Sequence, residues 1–183
     1  MQKVSPTDFL LQYAQGKRNF DEIDLREANL FNANLEAVSL QNSDLRSTYL
    51  PYTNLNKANL QGAKLQGAEM SDAQLYQANL AGADLRGSNL SRATLRYASL
   101  QQANLQGANL QGADLYGANL QGANLQDADL QRADLDQATL KATILANANL
   151  FRAQNIDWTG AAVDSMTVYP DGYRQGSDPP ETP

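Results

Sequence analysis

The sequence predicts an all-β solenoid, and two observations carry that prediction. Leu, replaced once by Phe20 and once by Met70, stands at every fifth position from 20 to 150. Two residues before the centre the side chain is Ala in 19 of the 27 repeats and mostly Ser, Thr, Val or Ile in the others, so a second column also needs a confined inward environment. Five is the period of neither regular element. On an α-helix five steps of about 100° carry each Leu roughly 140° from the last. On a flat strand an odd spacing sends successive leucines to opposite faces. A chain that turns once per five residues, always in the same sense, keeps both columns on a common axis.

The first element is different. In MQKVSPTDFLLQYAQGKRNF, Ser5 offers a hydroxyl N-cap, Pro6 takes the first helical position and Asp8 supplies an acid in the first turn. Phe9, Leu10, Tyr13 and Ala14 follow at helical spacing, and Gly16 ends the run. A short amphipathic helix is predicted within an N-terminal cap of residues 1–17, lying over the first coil, because an open-ended solenoid leaves unpaired backbone at its edge. The segment lacks the apolar core and small-residue cleavage site of a signal peptide. No stretch approaches the roughly 18 apolar residues of a membrane span. The expectation is a cytoplasmic chain with no membrane partner.

Residues 18–152 are the repeats. Leu25, Leu30, Leu50, Met70, Leu90, Leu110, Leu130 and Leu150 sample the column that should fill the core. Asn or Asp precedes the centre in 18 of the 27 repeats, and such short side chains bond local backbone and tolerate turns. Gly recurs two residues after the centre, as at Gly82 and Gly117, where a corner would relax the backbone.

Strings such as AEMSD, ADLRG and ANLQG resemble the A(D/N)LXX motif of pentapeptide-repeat proteins. The resemblance implies a right-handed quadrilateral β-helix with four pentapeptides per coil, hence about seven coils and a rod of roughly 32 Å. YAQGKRNF is similar to the leader of cyanobacterial members of the family. After Leu150 the register breaks, since position 155 is Asn and the apolar residue arrives as Ile156. Ile156, Trp158, Ala161, Val163, Met166, Val168 and Tyr169 define a C-terminal cap over residues 153–173. In the family such an end either closes the last coil or forms a dimer contact, so a monomer and an end-to-end homodimer both stay open. Ile144 departs from the motif near this end and is assigned to the cap contact. The stretch from Arg174, RQGSDPPETP, lacks apolar residues and reads as a disordered tail over 174–183.

Composition narrows function. The chain has no Cys and no His, which removes thiolate chemistry, the commonest general base and the commonest transition-metal ligand. Asp129 and Asp134 look like a carboxylate pair, yet both occupy the turn column. GANLQG is not followed by the Lys-Ser/Thr of a phosphate loop. No catalytic, cofactor or metal site is predicted, and the chain is not read as an enzyme. A net charge of −6 argues against direct nucleic-acid binding.

With coils of four repeats, residues 20 apart stack. One such ladder reads Glu36, Asn56, Tyr76, Arg96, Tyr116, Asp136, with Tyr97 and Arg92 close by. It is either a self-stabilising stack or the anchor for a protein partner of unknown identity. Phe31, Tyr49, Pro51 and Tyr52 form a second cluster that packs on the N-terminal segment or offers another contact surface. The function predicted first is a non-catalytic interaction scaffold or regulatory binding module. Second is the family's DNA mimicry, in which quinolone-resistance members present acidic faces to DNA gyrase; here the repeats carry no continuous acidic stripe. A structural spacer is third.

Overall fold

The computed structural model describes residues 1–174. Helix α1 (Pro6–Ala14) is capped by Ser5, whose hydroxyl accepts from the Asp8 N–H (3.1 Å) and donates to the Asp8 carboxylate (2.7 Å). Its buried Phe9 meets Phe20 edge-on, with centroids 4.6 Å apart. Leu10 and Tyr13 pack partly buried against the same core. The Tyr13 hydroxyl donates to the Glu36 carbonyl (2.9 Å). A short strand that the sequence reading did not contain precedes the helix: β1 (Gln2–Lys3) pairs in parallel with β2 (Ile23–Asp24), and the Val4 N–H continues the contact to Asp24. This strand covers part of the backbone edge that the first layer would otherwise expose.

After α1 the chain is a β-solenoid. The residue before each centre bridges in parallel to the residue twenty positions on, from Asn19↔Ser39 through Asp134↔Gln154. Four pentapeptides therefore separate stacked neighbours. The repeat around Leu110 shows how its backbone donors are satisfied. Leu110 N–H donates to Asp129 O (2.7 Å) and Gly112 N–H to Gln131 O (2.8 Å), both in the next layer. Ala113 N–H closes the turn onto Leu110 O (3.0 Å), and Asp114 N–H reaches back to Ala93 O (3.0 Å). The remaining donor, Gln111 N–H, is taken by the Asn109 side chain (3.0 Å). The Asn/Asp column thus completes a count of backbone donors that the turn itself leaves one acceptor short.

Leu90, Leu110, Leu130, Leu150 and Met70 are fully buried, and Leu25, Leu30 and Leu50 are at most 2% exposed. Where Thr replaces the small Ala, its hydroxyl finds a carbonyl, in the layer below for Thr53 on Leu30 and Thr143 on Leu120 (both 2.8 Å) and within its own turn for Thr48 on Leu45 (2.7 Å).

At the C-terminal end the register shortens, with Ile144 bridging Ala162 and Asn149 bridging Val168. Ile156, Trp158, Ala161 and Val163 pack partly buried against the core, and the Trp158 and Tyr169 rings lie 5.2 Å apart. Arg174, placed in the tail by the sequence, pairs antiparallel with Val168. The rest of the expected tail, 175–183, lies outside the described residues.

Candidate functional site

The stack brings three tyrosines of consecutive layers together. Tyr97 meets Tyr76 edge-on at 6.0 Å and Tyr116 edge-on at 5.4 Å. The sequence ladder put Arg96 between Tyr76 and Tyr116, but Tyr97 is the link. Arg96 instead lies over one face of Tyr116, 4.3 Å from its centroid, and donates to Asp114 (3.2 Å). That bond raises the guanidinium's pKa. Gln137 donates its amide to the Tyr116 hydroxyl. Hydrogen bonding to Tyr97, with partial burial, raises the Tyr116 phenol. Tyr97 leaves 47% of its surface exposed.

Tyr97 can lean across the stack because Gly117, twenty residues on, has no side chain. A Cβ there would come within 2.7 Å of the Tyr97 ring. Asp114 and Gln137 carry no mark of this role in the sequence, since they sit 18 and 21 residues from the groups they hold, a relation that only the layer spacing reveals.

Arg92 does not join this cluster. It occupies the preceding corner and forks onto Asp72, with bonds of 2.6 and 2.8 Å. That fork lowers the Asp72 pKa, and a hydrogen bond from Tyr52 contributes. The second aromatic cluster is also on that corner. Phe31 stacks on Tyr49 (6.2 Å) and meets Tyr52 edge-on (5.9 Å), each about half exposed, while Pro51 beneath them is buried.

A third edge carries the pairs Asp24–Arg26, Asp44–Arg46 and Asp84–Arg86. In each, the guanidinium forks onto the carboxylate two residues earlier, at 2.7 to 3.0 Å. The fork holds all three carboxyls below the usual carboxylate range, Asp24 furthest. A fourth edge carries a shallow groove of about 450 Å³ lined by uncharged residues, Gln61, Gln101, Gln102 and Gln121 beside Gly82 and Gly122. Among the described residues no group of acids is placed to hold a metal ion, and no helix is long and apolar enough to cross a membrane.

The twenty-residue stack of five-residue turns coincides with a sequence match. The model of pentapeptide repeats fits eight copies, over residues 18–46, 53–92, 88–127 and 118–154. The chain belongs to the pentapeptide-repeat family. Among solved pentapeptide-repeat structures it is similar to HetL, a protein involved in heterocyst differentiation regulation from the cyanobacterium Nostoc sp. strain PCC 7120. The two are 32% identical over 93% of this chain and 99% of that one, with a TM-score of 0.32. A pentapeptide-repeat protein from the thylakoid lumen of Arabidopsis thaliana is 33% identical over 64% of this chain and 73% of its own, with a TM-score of 0.41. QnrB1, a plasmid-mediated fluoroquinolone resistance protein, is 17% identical over 89% and 88%, with a TM-score of 0.53, a likeness of fold alone. No curated protein matches the chain. The pentapeptide motif accounts for the inward columns and the Asn/Asp caps; the Tyr97 cluster lies in outward columns that the motif leaves free.

Proposed function

We propose that this pentapeptide-repeat protein is a non-catalytic interaction module that engages a protein partner through Tyr76, Arg96, Tyr97 and Tyr116. The observation that carries this reading is the half-exposed Tyr97 ring held edge-on between two other tyrosines, beside an arginine fixed over the third. Tyr and Arg are, with Trp, the side chains enriched among interface hot spots. Here their rotamers are already restrained by ring contacts, Asp114 and Gln137, so little conformational freedom remains to be lost on binding. Arg92 is left out of the site, since its charge is matched by Asp72. The twenty-residue period supports reading the scaffold as a right-handed quadrilateral β-helix of about seven coils. On this reading residues 1–17 and 153–173 are its caps, and the chain is cytoplasmic, as a monomer or an end-to-end homodimer.

The DNA-mimic alternative requires uncompensated carboxylates at phosphate-like intervals. The forking of Asp24, Asp44 and Asp84 onto their own arginines speaks against it.

The test is affinity capture with the wild type and with a Tyr97→Ala, Arg96→Ala double variant, after circular dichroism shows both folded. The reading expects a protein held by the wild type at least tenfold more strongly than by the variant, about 1.4 kcal/mol. Equal capture by both would remove the cluster from the site. Inhibition of DNA gyrase supercoiling by the wild type would replace this function with the alternative.

A further inference from the structure

One layer of the solenoid is open at its C-terminal end. Each centre from Phe20 to Leu150 donates its N–H to a carbonyl of the next layer, as Leu120 does to Thr139 (3.0 Å) and Leu145 to Ala162 (2.7 Å); Leu140 has no such acceptor among the described residues. The N–H of Gln137 is likewise without one, although Gly117 below bonds Asp136 (2.8 Å) and Ala142 beyond bonds Gly160 (2.7 Å). Thr139 bridges back to Asn119 but not onward, whereas Asp134 reaches Gln154 and Ile144 reaches Ala162. The shortened register explains this: residues 155–159 span the gap between Gln154 and Gly160 without bridging to 136–141.

An open groove of about 500 Å³ lies between the two segments, lined by Gln137, Thr139, Leu140, Lys141, Asp157 and Thr159 among others. Leu140 is only 2% exposed. Its side chain is taken up by the core, so what it offers to the opening is a backbone N–H with no acceptor among the described residues. One layer down, the equivalent two donors are met by carbonyls of residues 136 and 139, three residues apart on one main chain. Lys141 and Asp157 place one charge of each sign on the walls, which suits a peptide main chain better than an isolated ion.

We propose that this opening is a docking slot for a short extended segment of a partner polypeptide. The segment adds to the open layer as a strand, and its carbonyls accept from the Gln137 and Leu140 N–H groups. The slot is independent of the tyrosine cluster, though the Gln137 side chain reaches Tyr116 and so borders both.

The test uses the full-length ¹⁵N-labelled protein and a capped peptide, ANLQGANLQ, copying residues 118–126. In the free protein the Gln137 and Leu140 amides should exchange with solvent about 100-fold faster than those of Gly117 and Leu120. The peptide should shift both resonances saturably and slow their exchange about tenfold. Thr139→Trp, which fills the slot from an exposed position, should abolish the response, and Tyr97→Ala should leave it intact. Equal protection of the four amides in the free protein would overturn the proposal, as would no saturable shift at millimolar peptide, or a response unchanged in Thr139→Trp. Protection that grows with protein concentration alone would give the slot to a second copy and overturn the foreign partner.

Discussion

Each corner of the solenoid holds the residue two after the centre at positive φ, and glycine fills only some of these sites. Tyr97, Arg92 and Asn42 adopt φ values of 53° to 57°, close to the 64° of Gly82. An L-residue there costs about 1–2 kcal/mol, which the next-layer hydrogen bond and core burial offset. Two glycines separate the conformational cost from the steric one. Nothing would touch a Cβ on Gly82, whereas one on Gly117 would strike Tyr97. Gly82→Ala should therefore lower unfolding free energy by about 1–2 kcal/mol. Gly117→Ala should cost about 1–3 kcal/mol more, and adding Tyr97→Ala should remove that excess. Urea denaturation of the three variants checks this ordering. For the fully buried Leu110, replacement by Ala should cost about 2–5 kcal/mol. A melt unchanged by that substitution would contradict its place in the core.

At the level of the repeat, the Asp–Arg pairs act as reinforced corners. Asp24, Asp44 and Asp84 accept from the backbone N–H two residues on as well as from the guanidinium. Their folded pKa values lie below the unfolded value. The contribution is therefore complete above the unfolded carboxylate pKa of about 3.9 and is lost as pH falls below it. Calorimetry should find Tm nearly flat from about pH 8 to 5 and falling below about pH 4. Arg46→Gln should make that acid decline shallower. The terminal elements differ in how far they could be read. Ser5, Pro6 and Gly16 mark α1 by local chemistry, so its helix is visible in sequence. The two residues of β1 carry no pattern, because pairing with Ile23 and Asp24 alone makes them a strand.

The whole molecule is a one-dimensional stack in which each layer contacts its neighbours, so stability is distributed along it. The middle layers are bonded on both sides, while the shortened register leaves the layer above Asp136 incomplete. Amide exchange should accordingly be slowest around residues 90–115 and faster through 153–174, by opening from the C-terminal end. Uniform protection along the stack would show that residues 153–174 hold as firmly as the interior.

The sequence by itself determined the solenoid, its inward Leu and Ala columns, its Asn/Asp caps and the helix at its start. Those features recur every five residues or rest on local capping, so the physical requirement is written within a few positions of each residue. Tertiary structure decided what depends on residues twenty apart: Tyr97 as the link of the aromatic cluster, Arg92 turned to Asp72, Gly117 making room for a ring, and the open layer at Leu140. Such contacts are set by which outward side chains the stack places in register, and the pentapeptide motif leaves those positions unconstrained because they do not enter the core.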